Sequence, residues 1–279
     1  METGQKTIQP NNSKHKDSIN TLSIQVSLNG LSFCTLNSQT NSLDYFKDVR
    51  FQNRITPPQL LDKLVDQFNS DANLQKDFKD IIVVHENELS SLVPKNLFDE
   101  NHLADYLKFN TKILGTDYIT WDAIEANSSV NVYVPFVNIN NYLYEHFGEF
   151  RFLHFSTVLI EKLLKNHGKV KEDTMFVYVG QGHFEIIVLN NQGLRLYNSF
   201  EYKTKKDFIY FILFTMEQLQ LDPESVKLNL MGRIAENDDL FNMAFNYVRN
   251  VSFLTDISKY SIKEVYKSAL QNYTILNSF

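Results

Sequence analysis

Cysteine is nearly absent: among 279 residues only Cys34 is present, which excludes an internal disulfide framework. Because Cys34 falls in an alternating strand pattern, a buried small hydrophobe is expected there and not a reactive thiol. Positive charge is not in excess either. The 27 Lys and Arg against 33 Asp and Glu leave a net charge of -6, so no global positive field invites nucleic acid or an anionic membrane. No apolar run reaches the ~20 residues of a membrane-spanning helix. The nearest approach, Asp207 to Met216, is closed by Lys205, Lys206 and Glu217 and reads as a core helix. Seven histidines, among them His146, His154 and His183, show no metal-ligand spacing, so surface or capping roles are expected for them and no metal site. A Gly-x-Ser-x-Gly elbow, a Walker loop and a Cys-His constellation are all missing. The polar stretch Met1 to Lys16 has no apolar signal region. Residues 1–20 are therefore expected to form a disordered tail, and the cytoplasm is the expected compartment.

What is present is a packed globular composition, 43% hydrophobic with 22 Phe and 14 Tyr, most of them at core phases of their elements. Two apolar, β-branched runs, Phe176 to Val179 and Phe184 to Leu189, join through Gly180-Gln181-Gly182, the pattern of a tight hairpin. A like pattern opens the chain. Leu22, Ile24, Val26 and Leu28 alternate with Ser23, Gln25 and Ser27, and Asn29-Gly30 is expected to turn the chain back into Leu31 to Leu36.

From each hairpin the chain continues in the same order. After the first come a strand near 44–52, a helix capped by Thr56 with Pro57-Pro58, and the apolar strand Ile81 to Val84, covered on both faces. A helix is expected near 99–109, strands at 117–124 and 130–134, and a helix at 138–147 ending at Gly148. A strand at 150–155 and a helix capped by Ser156 complete this part. After the second hairpin come a strand at 194–200, a helix at 204–219, a strand at 226–230 and a helix at 238–248. Ser261 to Glu264 matches a capping box for a final helix. Asp238-Asp239 reads as a pair at a helix N-terminus, not an acid-base pair. No low-complexity linker separates the halves, so lobes at 21–135 and 136–279 with a packed junction are expected.

Two βββαβα halves, each opening with a turn between its first two strands, resemble the actin, heat-shock chaperone and sugar-kinase superfamily. The chain also resembles an uncharacterised bacterial family, domain of unknown function 3822, from Leu22 onward. The resemblance implies an α/β actin-like ATPase fold with mixed sheets, two duplicated RNase H-like lobes around a cleft. It implies phosphate loops at Gln25, Ser27, Asn29 and Gly30 and at Tyr178, Gly180, Gln181 and Gly182, with an adenosine loop at Gly232.

The departures from that pattern decide the functional expectation. Relatives that hydrolyse nucleotide place carboxylates in these loops to hold the waters of magnesium, and magnesium leans on one or two such groups. Here Gln25 and Tyr178 stand in those places, and neither can offset the ion's charge. No cofactor is expected. The reading is a catalytically inactive actin-like protein, a scaffold or binding module for another cytoplasmic protein. The alternative is a divergent ATP-binding or ATP-hydrolysing protein that uses magnesium with carboxylates such as Glu185 or Asp238.

Overall fold

A computed structural model describes residues 19–279. The expected tail thus falls, up to residue 18, outside the described residues. Along the chain run β1 (Asn20–Ser27), β2 (Gly30–Asn37), β3 (Ser42–Arg50), α1 (Pro57–Ser70), β4 (Asp80–Glu86) and β5 (Ser90–Pro94). They are followed by α2 (Leu103–Leu107), β6 (Thr120–Ile124), β7 (Ser129–Tyr133), α3 (Val137–Phe147), β8 (Arg151–His154) and α4 (Phe155–His167). Then come β9 (Thr174–Val179), β10 (His183–Asn190), β11 (Gly193–Glu201), α5 (Lys205–Gln218), β12 (Lys227–Gly232) and α6 (Asp239–Tyr247). The short elements β13 (Asn250–Phe253), β14 (Ser261–Ile262) and α7 (Tyr273–Asn277) complete the order.

These elements form two compact units. The first comprises the chain to Leu159 with Lys259–Ala269 and Thr274–Phe279; the second comprises Ile160–Ser258 with Leu270–Tyr273. In the first unit the sheet order is β14-β3-β2-β1-β4-β8, antiparallel through the hairpins and parallel from β1 to β4 and β8. The second unit has β11-β10-β9-β12-β13 with the same directions. Parallel neighbours on one side and a hairpin on the other are what a βββαβα chain produces, since only a crossover helix can return the chain parallel. A separate sheet, β5-β7-β6, belongs to the first unit and packs with Leu107 and Phe98.

Alternation along β1 places Leu22, Ile24 and Val26 on one face of the first sheet, against Leu60, Leu64 and Phe68 of α1 and Ile139 and Leu143 of α3. The Thr56 amide donates to Gln59 Oε1 (3.0 Å), closing the start of α1. At the end of α3, Gly148 takes φ +78° and returns its amide to Tyr144 O (2.8 Å), so glycine meets a real conformational need there. In the second unit, Thr204 and Asp207 exchange hydrogen bonds as a capping box, and α5 packs Phe208, Ile209, Ile212 and Met216 on the sheet. Cys34 is fully buried, and burial pushes its thiol pKa well up, as a small hydrophobe requires. Among the described residues no helix is long and apolar enough to cross a membrane.

Several local expectations are corrected. The first hairpin turns at Leu28-Asn29 and not at Asn29-Gly30, because Gly30 pairs with Ser27 as the first residue of β2. Neither Asn29 nor Gly30 has positive φ. What selects glycine is space: a Cβ at Gly30 would lie 2.6 Å from Val49 O on β3. The helix expected at 99–109 is confined to Leu103–Leu107, after a 3-10 turn at Glu100–His102 that Asp99 caps. Ser156 lies inside the first turn of α4 and does not cap it. The Ser261 segment is not a helix start, since the edge of the first sheet recruits its backbone, Ser261 opposite Ser42. A kinked 3-10 segment over Glu264–Gln271 follows. Finally, α5 is not core all round: Tyr210 and Phe214 are exposed and stack on each other at 5.9 Å.

Candidate functional site

Each unit presents the hairpin end where the resemblance places a phosphate loop. In the first, Ser23, Gln25 and Ser27 occupy the face of β1 opposite α1, because side chains alternate along a strand. Sheet register puts Ile82 and Val84 of β4 beside them on that face. Gln25 is buried and both ends of its amide are committed. Its Nε2 donates to Glu86 Oε2 at the end of β4 (2.7 Å), and its Oε1 accepts from Thr274 Oγ1 of α7 (2.6 Å). Ser27 Oγ accepts from the Asn29 amide (3.2 Å), while the carbonyls of Leu28 and Asn29 accept from Ile55 and Phe51. The turn is therefore tied into the chain on both sides.

In the second unit, Tyr178 on β9 is buried, opposite Glu185 on β10. The bend is Gly180-Gln181-Gly182, closed by the Gly180 amide donating to His183 O (2.9 Å), with Gly182 at φ +80°. The His183 ring lies over Gly180: a Cβ there would be 2.5 Å from its Cε1 and Nε2. Its Nε2 also lies 3.7 Å from Glu185 Oε1, which accepts from Ser199 Oγ (2.8 Å). Gly232 ends β12 at φ +91°, where a Cβ would sit 2.4 Å from Val179 O and 3.1 Å from the Tyr178 ring. Close packing on β9 thus accounts for this glycine. Asp238 caps α6, accepting from the amides of Phe241 (2.8 Å) and Ala235 (2.9 Å), as its position at a helix start implied.

The two positions at which the resemblance would place magnesium-steadying carboxylates hold a hydrogen-bonded amide, Gln25, and a buried phenol, Tyr178; Glu86 Oε2 accepts from Gln25 and Glu185 Oε1 from Ser199. Among the described residues no group of three His, Cys, Asp or Glu is placed to hold a metal ion.

A second polar assembly, which the sequence did not announce, fills the interior of the first unit. His154, expected at the surface or as a cap, is fully buried. Its Nε2 donates to the Asn87 carbonyl (3.1 Å), so Nδ1 is the acceptor for Ser156 Oγ (2.7 Å). Asp122 accepts from the His154 amide (2.8 Å), Thr157 Oγ1 (2.9 Å) and Tyr133 OH (3.3 Å). Nearby, the His85 Nδ1 accepts from the Phe136 amide (3.2 Å) while its Nε2 donates to Asn140 Oδ1 (2.9 Å). Burial lowers the pKa of His85 to about 4 and that of His154 to about 3, so both rings are neutral at pH 7. Every nitrogen of the two rings is bonded inside the protein. His146, by contrast, is exposed and stacks on Tyr142 (5.8 Å).

The twin sheets and their hairpins define a class, the actin-like ATPase fold. A Bacteroides thetaiotaomicron protein of that fold and unknown function is similar over 93% of this chain and 96% of its own, with TM-score 0.77 and 22% identity. The PilM-PilN type IV pilus biogenesis complex contains a chain similar over 92% of this one and 97% of its own, with TM-score 0.60 and 9% identity. The ethanolamine utilization protein EutJ from Carboxydothermus hydrogenoformans is similar over 93% and 88%, with TM-score 0.50 and 6% identity. Within that class the chain belongs to the family described as proteins of unknown function, DUF3822, whose model matches residues 9–251. No curated protein matches it.

Proposed function

We propose that this chain is a non-hydrolysing actin-like protein that serves as a protein-binding or scaffold module for another cytoplasmic protein. The observation that carries this reading is the commitment of Gln25: the amide at a former carboxylate position is held between Glu86 and Thr274. The His183 ring over Gly180 supports it from the second unit. Likeness to a chain solved in the PilM-PilN complex agrees with a role in binding proteins. The alternative, a divergent ATP-binding protein, would need Glu185 or Asp238 for magnesium, and these accept from Ser199 and from two backbone amides.

Thermal unfolding with magnesium-ATP at millimolar concentration tests the reading. A ligand present at 100 times its Kd adds about 2.7 kcal/mol of stability, a rise of several degrees in Tm for a chain this size. The expected shift is under one degree, at about the resolution of the scan. A rise of several degrees that a chelator reverses would establish the alternative.

A further inference from the structure

The crossover helices of the two units, α1 and α5, each run 14 residues from an N-cap threonine, Thr56 in one and Thr204 in the other. Counted from those caps, their inward positions agree in kind: Leu60 and Phe208, Leu64 and Ile212, and Phe68 and Met216 all lie in the cores of their units. Their outward positions do not agree. Asp62 and Asp66 are exposed on α1, as a solvated helix face requires. The same two places on α5 hold Tyr210 and Phe214, 59% and 41% exposed, and the rings stack with their planes 17° from parallel.

Lys206 stands four residues before Tyr210, and Glu217 three after Phe214, so the four side chains share one face of the helix. Both charged residues are exposed, and among the described residues neither side chain enters an ion pair. Their neighbours are engaged: Lys205 pairs with Asp239 of α6 (3.1 Å), and Asp207 closes the capping box. The stripe therefore runs cation, Tyr, Phe, anion. Turned end for end it runs anion, Phe, Tyr, cation, so the face is complementary to itself. About a two-fold axis between antiparallel helices, Tyr210 meets Phe214 of the second copy and Lys206 meets Glu217 of the second copy, each contact being made twice. A parallel pairing would set Lys206 against Lys206 and is disfavoured by that repulsion.

We infer that the outer face of α5 is a self-association surface and that its occupant is the same face of a second copy of this chain, packed antiparallel. An isologous contact of this kind closes at two copies. One helix pair makes a small interface, so the dimer forms with a Kd on the order of tens of micromolar. The contact uses neither hairpin and goes beyond the non-hydrolysing reading above, on which it does not depend.

Sedimentation velocity of the full chain from about 1 to about 300 µM tests the proposal. The average sedimentation coefficient is expected to climb from monomer toward dimer and to stop there; a monomer throughout, or growth past the dimer, overturns it. Tyr210→Asp with Phe214→Asp, which gives α5 the residues that α1 carries at these places, should weaken the dimer at least about a hundredfold. A dimer that survives in the folded variant overturns the proposal. Charge reversal tests the antiparallel register without touching either ring, and decides the matter should the aromatic variant not fold. Lys206→Glu alone and Glu217→Lys alone should each raise Kd at least about tenfold, because two symmetry-related pairs turn repulsive at once. The double reversal should return Kd to within about threefold of that of the unaltered chain. Single reversals without effect, or a double variant no tighter than the singles, overturn the proposal.

Discussion

The two units build the same sheet and fill it differently. Counted from each hairpin, Gln25 corresponds to Tyr178, Ser32 to Glu185 and Asp48 to Ser199. In the first unit Ser32 Oγ donates to Asp48 Oδ1 (2.8 Å); in the second Ser199 Oγ donates to Glu185 Oε1 (2.8 Å). The same rung is closed by the same bond, with carboxylate and hydroxyl exchanged between strands. The irregularity in strand pairing also recurs at one place: Asp44 is skipped between Thr35 and Leu36, and Arg195 between Val188 and Leu189. A bulge adds one residue to one strand and sharpens its twist, so its repetition marks a shared bend in both hairpins. Backbone plan is held in common, while side-chain chemistry diverges: polar and committed around Gln25, aromatic and close-packed around Tyr178. Only the first unit buries neutral histidines in a hydrogen-bonded interior.

That last contrast predicts the largest effect. His85 and His154 titrate near pH 6.5 when unfolded but at about 4 and about 3 when folded, so below pH 6.5 the unfolded chain binds protons that the folded one refuses. Stability present above pH 6.5 is lost as pH falls, on the order of 2 to 3 kcal/mol for each ring between pH 7 and 4.5. Denaturant titrations at the two pH values measure the loss. Hydrogen exchange should place it in the first unit; protection lost first from β9 and β12 would break the contrast.

Next comes Tyr178→Ala. Removing a fully buried ring packed beside Gly232 should cost about 3 to 5 kcal/mol, against about 1 to 3 kcal/mol for Gln25→Ala at the corresponding place, where hydrogen bonds and not volume are lost. Equal costs by thermal or chemical unfolding would mean that the two positions are filled alike.

Gln25→Glu places a carboxylate on the first hairpin but sets it against Glu86, which Gln25 Nε2 contacts at 2.7 Å. We expect a loss of roughly 2 kcal/mol at pH 7, because two carboxylates that close resist ionising together and one pKa must rise. The loss relative to the unaltered chain should shrink by pH 4.5, where one of the pair is protonated. Tighter binding of magnesium-ATP in calorimetry would instead show that the hairpin lacked only its charge.

The smallest expected effect, a difference of about 1 kcal/mol between two variants, sharpens the exchanged rung. Ser199→Ala removes a donor from the fully buried Glu185, at roughly 1.5 to 3 kcal/mol. Ser32→Ala should cost about 1 kcal/mol less, since Asp48 is partly exposed and also accepts from Arg50 Nε (3.0 Å). Paired unfolding curves measure the difference, and a larger loss for Ser32→Ala would reverse the assignment of roles.

Much of this architecture is legible in the chain. The alternation of Leu22, Ile24 and Val26, the run Ile81 to Val84, Thr56 before two prolines and Asp238 before α6 each carry a local physical signal, and the structure forms each element there. The sequence misleads where long-range pairing competes. Ser261 to Glu264 has the composition of a helix start, yet the backbone of Ser261 and Ile262 pairs with the edge of β3. Asn29-Gly30 looks like a turn, yet Gly30 is needed where Val49 O passes within 2.6 Å of a would-be Cβ.

At the candidate sites the balance shifts further. Residue identity alone establishes that Gln25 and Tyr178 are uncharged, because charge is a property of the side chain and not of its surroundings. The sequence by itself also determined the two-fold repeat of βββαβα, because strand alternation and helix periodicity are short-range properties. What surrounds Gln25 and Ser23 depends on the fold. Thr274 meets Gln25 across 249 residues of chain, and Ser278 meets Ser23 across 255. No periodicity or motif encodes a contact at that separation, because it exists only once folding has brought the two segments to the same sheet face. The same holds for His154 and Asn87, 67 residues apart: burial makes the ring neutral, and folding supplies the carbonyl that its Nε2 meets.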